Sequence, residues 1–522
     1  MIGKVLESSA LEITTRMEFE DFEKNKDNLK IGKYLQISIG NHESLIASIK
    51  GIKAIADNDN KEKYIMVAEP IGIIDDNGFS PGSTLLPSPT EPVDIAGQDV
   101  LDKIFQDNKK YSFPLGHLVQ NKEVKLNIDG NTFFSKHIGI VGSTGSGKSC
   151  TVAKILQEVV GIQEAGNVNI MQQKNAHIII FDIHSEYKSA FTLADEQKFS
   201  LNYLDVEKLK LPYWLMNSEE LESIFIESNE SNSHNQISQF RRAVILNKEK
   251  YNPSLSKVTY DTPVYFSIEE VYNYISNMND EVISKIANEE QVPKMINDKK
   301  EQEAIRDRKR YFEKRYTFIP TSTAAASKAS NGPFNGEFNR FISRLDNKIN
   351  DRRLEFLMKP QKENGNVYTS DDFDEILKQF LGYLNKANVS IIDLSGVPFE
   401  VLSITISLIS RIVFDFCFHF SKLKHERNEV NDVPFMIVCE EAHNYVPRSG
   451  SVDYAASRKS IERIAKEGRK YGISLMVVSQ RPSVLAALYS NKPPCLIFHR
   501  TALASIDVAT GYASFSRLAD EK

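Results

Sequence analysis

Residues 137–160 read HIGIVGSTGSGKSCTVAKILQEVV, and most of the architecture follows from them. A short apolar run meets a glycine-rich loop, and a helical pattern begins directly after it. Gly142-Ser143-Thr144-Gly145-Ser146-Gly147-Lys148-Ser149 fits G-x-x-x-x-G-K-[ST]. Without large side chains, successive backbone N–H groups can turn inward around phosphate oxygens, and the following helix directs its positive end to the same point. Lys148 should reach the β- and γ-phosphates of a nucleotide, and Ser149 should ligate Mg²⁺. The candidate nucleotide-binding run is therefore Gly142 to Ser149 with Cys150 behind it.

Five further apolar runs have the same character: AHIIIFD (176–182), VSIIDLS (389–395), PFMIVCE (434–440), ISLMVVS (473–479) and CLIFHR (495–500). Short all-apolar strands alternating with helices predict a parallel sheet covered on both faces, an α/β fold. Between about 210 and 385 such runs vanish and the composition turns helical, which predicts an inserted helical subdomain. Its mixed-sign stretch 298–316 reads as a solvated helix face, or alternatively as a partner or DNA surface. Residues 1 to about 120 differ again. Alternating segments (KYLQISIG, SLIASIKGIKAI, KYIMVAEPIGII) stand between turn signals such as DNDN and DDNG, as a small β-barrel or sandwich would require. VLDKIFQ, after Asp99, is a candidate closing helix. The expected organisation is a barrel at 1–120, a first core part at 121–210, the helical insertion at 211–385 and a second core part at 386–522.

Composition narrows the class. The chain has 522 residues, with 64 Lys and Arg against 70 Asp and Glu, 26% charged and 41% hydrophobic. These values exclude a histone-like basic protein and a largely disordered chain. With a net charge of −6, binding to nucleic acid needs a local basic surface. Cys150, Cys417, Cys439 and Cys495 are far apart with no CxxC pair, as in a reduced cytoplasmic protein. The opening MIGKVLESSALEITTRMEF lacks a secretory pattern. The most apolar stretch, VLSITISLISRIVFDFCFHF (401–420), is interrupted by Arg411 and Asp415, so a buried helix is expected rather than a membrane span.

The second half of the chain supplies acids. In VPFMIVCEEAH (433–443) the adjacent Glu440 and Glu441 point in opposite directions and cannot share a role. Glu440 can face the phosphate loop and hold Mg²⁺ through water, while Glu441, at the strand tip, can polarise the water that attacks the γ-phosphate. Ligands of parallel sheets bind at such strand ends. ISLMVVSQRPS (473–483) ends in Ser479-Gln480, whose amide can contact the γ-phosphate or the attacking water. IERIAKEGRKYG (461–472) presents Arg463, Lys466, Arg469 and Lys470, and such a helix could offer an arginine finger to a neighbouring subunit or be a plain solvated face. NYVPRSGSVDYAASR (444–458), with Arg448 and Arg458, is a candidate DNA loop or an ordinary connection.

Taken together, GSTGSGKS, FDIHSEY (181–187), IIDLSGVP (391–398), VCEEAHNYVP (438–447) and IAKEGRKYGISLMVVSQRPS (464–483) resemble the HerA family of hexameric DNA translocase ATPases, in the HerA/FtsK group. The resemblance implies a RecA-like P-loop core, an N-terminal HAS-barrel, a helical insert and a homohexamer that moves double-stranded DNA through its pore with ATP and Mg²⁺. It also implies an effector partner, a nuclease such as NurA or, in bacterial anti-phage defence, a nuclease or sirtuin-like NADase. Carried over, Lys148 and Ser149 match the Walker A residues, Glu440 and Glu441 the Walker B pair, and Gln480 the sensor. Arg469 is the preferred trans-acting finger, with Arg463 its rival. Glu440 replaces a frequent aspartate, and Lys466 a usual arginine. Relatives continue past the CLIFHR strand, so either the chain is shortened or its subunit contact is reduced.

Two other readings compete. Asp393-Leu394-Ser395-Gly396 imitates the D-x-x-G switch of a GTPase, but Asn247-Lys248-Glu249-Lys250 fails the guanine-reading NKxD pattern at its last position. The other reading is a ring-shaped scaffold in which ATP binding clusters an effector and translocation is incidental.

Overall fold

The computed structural model describes residues 1–40, 43–56, 62–76, 78–82, 85–105, 112–118, 121–162, 175–192, 199–227, 230, 232–446, 455–488 and 495–499. The chain divides between Ser135 and Lys136 into two units. The boundary expected at 120 instead falls inside a hairpin, β8 (Ser112–Leu118) with β9 (Asn121–Asp129), which belongs to the first unit.

Alternating sequence closes the first unit into a barrel. Its strands are β1 (Gly3–Ser8), β2 (Ile13–Glu18), β3 (Tyr34–Ile39), β4 (Glu43–Ala56), β5 (Glu62–Asp75), β6 (Gly78–Pro81) and β7 (Pro92–Ile95). They run in the order β2-β1-β7-β3-β4-β5, and β2 pairs back onto β5 to close six strands, with β6 appended. Leu45, Ala47 and Ile49 of β4 point into the barrel core with Ile13, Leu35 and Met66. Ile46, between them, faces the other way and packs with Val100 and Leu101 of the helix Gln98–Phe105. That helix is the one read from VLDKIFQ. Pro70 sits where the β4–β5 register shifts, the kind of place where a strand tolerates proline.

The second unit is built on a seven-stranded parallel sheet. Its strands are β10 (Ile138–Gly142), β11 (His177–Asp182), β12 (Ser200–Leu204), β17 (Asn388–Asp393), β18 (Phe435–Cys439), β19 (Ile473–Ser479) and β20 (Cys495–His499), in the order β12-β17-β11-β18-β19-β10-β20. Every residue of β10, β11, β17, β18 and β19 is buried, which explains their mainly apolar character. The sequence reading missed β12: it lies at the sheet edge with mostly half-buried residues, so SLNYL can carry Ser and Asn. The helix Phe399–Glu426 is the one element among the described residues long and apolar enough to cross a membrane, but 78% of its most apolar window is buried inside the fold.

Residues 205–387 separate β12 from β17. Their helices include Ser218–Phe225, Ser233–Tyr251, Ile268–Asp280, Asn339–Ile349 and Phe373–Leu381. Apolar residues of this insertion, among them Trp214, Phe240 and Tyr274, join one continuous core with Ile392 and Ile404. The insertion is not purely helical. It holds β13 (Val282–Ser284) paired with β16 (Ala329–Asn331), and β14 (Lys294–Ile296) paired with β15 (Gln302–Ala304). The continuous helix expected at 298–316 is therefore replaced by β15 and the short 3-10 helix Arg308–Phe312. Asn297 explains why: its side chain accepts the backbone N–H groups of Lys299 and Glu301, and its carbonyl accepts that of Lys300. Such a local turn competes with a helix. The charges are paired, Arg306 with Glu290 and Arg308 with Glu281 across the turn and Arg310 with Glu303 beyond it.

Candidate active site

The glycine loop starts where β10 ends. Gly145 and Gly147 have φ of 72° and 92°, left-handed values that glycine adopts without steric cost. Gly147 caps the helix Lys148–Val160, whose Val152, Ile155, Leu156, Val159 and Val160 are buried on one face. That packing fixes the axis of the helix, and hence the direction in which its free N–H groups point. Lys148, only 6% exposed, folds back over the loop. Its Nζ donates to the Ser143 carbonyl at 3.2 Å and lies 3.9 Å from Oε1 of Glu441.

The acids arrive from β18, separated from β10 by β19. Glu440 is 2% exposed. Its Oε1 accepts Ser149 Oγ at 3.3 Å, and its Oε2 accepts the Tyr187 hydroxyl at 2.6 Å. Burial pushes its pKa up to about 7; the Tyr187 hydrogen bond opposes the rise and the nearby Glu441 charge adds to it. Glu441 has φ 44° and ψ 45°, a left-handed conformation that costs a non-glycine residue and clusters at functional sites. Its Oε1 accepts Gln480 Nε2 at 2.8 Å, while Gln480 Oε1 accepts Thr144 Oγ1 at 2.8 Å. A continuous chain thus runs from the phosphate loop through Gln480 to Glu441.

The second oxygen of Glu441 is different. Its Oε2 is buried without a hydrogen-bond partner, and so is Nδ1 of His443, although the two lie 3.1 Å apart. The separation suits a hydrogen bond but the alignment does not. Burial lowers the pKa of His443; Glu441 opposes this, and Arg481, Lys148 and His184 reinforce it. An unsatisfied buried carboxylate oxygen at this point can receive a water molecule. Ser149 and Glu440 offer the hard oxygen donors that Mg²⁺ prefers, so the residues fit that ion. Among the described residues no three His, Cys, Asp or Glu side chains gather to hold a metal alone, and phosphate oxygens and water would supply the remaining ligands.

A second pair of acids stands at the ends of β11 and β17, where Asp182 and Asp393 are in register. Asp182, fully buried, accepts the backbone N–H groups of His184, Glu186 and Tyr187 at 3.2, 3.1 and 3.0 Å. Asp393 accepts Ser395 N at 3.0 Å and Ser395 Oγ at 2.7 Å, together with the hydroxyls of Ser185 and Tyr203. Burial raises the Asp393 carboxyl, but the Ser185, Ser395 and Tyr203 hydrogen bonds hold it below its ordinary range.

Lys148, Ser149, Thr144, Glu440, Glu441 and Gln480 are therefore gathered into one cluster. The arginines are not. Arg469 lies on the short turn Gly468–Tyr471 that precedes β19, so the length of that strand, about 20 Å, separates it from Gln480. Arg463 stacks 4.2 Å from the Phe414 ring and pairs with Asp415 at 3.4 Å. Lys466 pairs with Glu462, as does Arg458. Arg448 lies outside the described residues. Sequence reasoning assigned no part to Tyr187 or His443. FDIHSEY and EEAH each carried the signal, a polar residue just past a strand-end acid, but the strand order needed to read it was not visible.

Against this geometry, the family described as "Helicase HerA, central domain" matches residues 113–413. The chain is 24% identical over 476 residues to "Probable DNA double-strand break repair helicase HerA" of Methanocaldococcus jannaschii, covering 90% of this chain and 80% of that one. It is 23% identical over 484 residues to "Probable helicase MJ1565" of the same organism, covering 88% and 75%. It is 27% identical over 373 residues to "DNA double-strand break repair helicase HerA" of Saccharolobus solfataricus, covering 71% and 55%. Among solved structures, VirB4 of Thermoanaerobacter pseudethanolicus aligns with a TM-score of 0.39 at 14% identity, over 73% of this chain and 81% of that one.

Proposed function

The chain belongs to the HerA helicase family, and from that premise we propose that it is an ATP-hydrolysing DNA translocase that works as a cytoplasmic homohexamer on duplex DNA. The observation that carries this reading is the link from Thr144 through Gln480 to Glu441, beside Lys148 and the Ser149–Glu440 pair. Side chains from three strand ends meet where a γ-phosphate would lie over the glycine loop.

In the proposed reaction Lys148 and Gln480 exchange their present partners for the γ-phosphate. Glu441 holds the attacking water at Oε2, the oxygen that now has no hydrogen bond. It takes the water's proton as the water oxygen bonds to the γ-phosphorus, the bond from that phosphorus to the β-phosphate oxygen breaks, and ADP leaves. Ser149 and Glu440 would hold Mg²⁺, which when bound neutralises charge on the β- and γ-phosphates. An arginine of a neighbouring copy, Arg469 in preference to Arg463, completes the charge balance, since this copy's Arg469 stands at the far end of β19. DNA is gripped chiefly through its phosphates, and therefore with little sequence preference. The effector partner, a nuclease or sirtuin-like NADase in an anti-phage setting, rests on the resemblance of the sequence motifs.

ATP turnover measured with and without duplex DNA tests the reading. A translocase should be accelerated severalfold by DNA. An unchanged rate would favour the ring scaffold that assembles an effector without translocation. Lys148→Ala should abolish nucleotide binding.

A further inference from the structure

We propose that Tyr187 is a positioning residue that locks the carboxylate of Glu440 in the orientation needed to hold the nucleotide's divalent cation, an inference that rests on the ATPase reading above. The arrangement begins at the end of β11. The fully buried Asp182 gathers N–H groups of His184, Glu186 and Tyr187 from the loop that follows it. This wraps residues 183–187 tightly round the acid. Ser185 takes a left-handed φ of 56° within the wrap, and its hydroxyl is held by Asp393 on the neighbouring strand. The tyrosine ring that leaves this loop is 1% exposed.

A buried phenol needs a hydrogen-bond partner, and this one has chosen a carboxylate on a different strand. Its hydroxyl meets Oε2 of Glu440 at 2.6 Å, while Ser149 occupies Oε1 at 3.3 Å. The neutral phenol holds its proton and donates it in a hydrogen bond to Oε2. Glutamate has three side-chain torsions, and a single contact at Oε1 would leave the carboxyl group free to turn. With Tyr187 on one oxygen and Ser149 on the other, the plane of the carboxylate is fixed from both sides. Were Ser149 and Oε1 engaged with a cation, Tyr187 would still anchor Oε2. A tyrosine that served only to fill space would not require its hydroxyl at this distance.

Tyr187→Phe keeps the ring and removes only the hydroxyl. The test uses the full chain with Mn²⁺ in place of Mg²⁺ and a non-hydrolysable ATP analogue, with bound Mn²⁺ followed by electron paramagnetic resonance. Loss of such an outer partner of a metal ligand is expected to weaken Mn²⁺ binding about tenfold, the low end of the effect seen for such groups. Binding of the analogue in excess EDTA and the melting temperature of the metal-free protein should change little. In a Glu440→Gln background, Tyr187→Phe should add less than about twofold, because the two residues act as one unit. Unchanged Mn²⁺ affinity in Tyr187→Phe, or the same tenfold loss in the Glu440→Gln background, would overturn the proposal. A wild-type chain that takes up no Mn²⁺ with the analogue would overturn the ATPase reading itself, and this inference with it.

Discussion

At the scale of single residues, Glu441 concentrates the tension between folding and function. Its left-handed backbone (φ 44°) costs about 1–3 kcal/mol in a residue other than glycine, and one of its oxygens is buried without a hydrogen bond. Glu441→Gly should therefore melt no lower than the parent by calorimetry, although it deletes a buried side chain and the Gln480 contact. Glu441→Gln should still bind ATP within a few-fold of the parent, while turnover falls at least about 10²-fold, the scale of a lost general base. Turnover at the parental rate in Glu441→Gln would remove that residue from the chemistry.

His177 gives a pH dependence of definite sign. Its ring stacks on Phe435, its Nδ1 meets the Leu381 carbonyl at 2.7 Å, and its Nε2 is buried without a partner. The carbonyl requires the proton on Nδ1, so protonating Nε2 would bury an unpaired donor. Burial accordingly lowers its pKa, against the pull of the Leu381 and Leu384 carbonyls. The unfolded chain takes up that proton near pH 6.5 and the native chain resists it. The associated stability is present in full above pH 6.5 and declines as pH falls below it. Urea unfolding at pH 7.5 and 5.5 should show this loss, with a shallower slope in His177→Gln. An equal slope in both proteins would count against the assignment.

At the scale of elements, parallel strands were readable because burial on both faces leaves no room for alternation, and because they end in acids or amides that the sheet edge can expose. The helix Phe399–Glu426 was readable as a core element from its charges, but their purpose was not. Arg411 donates to both oxygens of Glu220, a fully buried residue 191 positions earlier, and to the Leu215 carbonyl. Glu220 also closes the capping box of the helix Ser218–Phe225 with Asn217. One ion pair thus ties the insertion to the core helix, and no local pattern could reveal a partner so distant in sequence. Arg411→Met leaves a buried carboxylate without its counter-charge, which should cost about 3–5 kcal/mol in urea unfolding. A loss below about 1 kcal/mol would show that the pair is not structural. The failures have the same cause in reverse. An edge strand such as β12 is half polar, and the Asn297 turn overrides the helical composition around it through hydrogen bonds formed within five residues.

At the scale of the whole molecule, the glycine loop, the acid pair and the amide were legible as separate motifs, and the strand order unites them. That order places β19 between the loop and the acids, which is why Gln480 can touch both Thr144 and Glu441. Arg469 lies on the turn that leads into this strand, at the end opposite Gln480. In the proposed reaction a second copy therefore finishes the site. An arginine supplied in trans is worth roughly 10³–10⁵ in rate, so on this proposal hydrolysis should depend on assembly. The most direct measurement is ATP turnover per chain across a dilution series, with assembly followed in parallel by sedimentation. Turnover per chain should collapse by about 10³-fold or more as rings dissociate. Dissociated single chains that hydrolyse ATP as fast as the assembled protein would contradict the account.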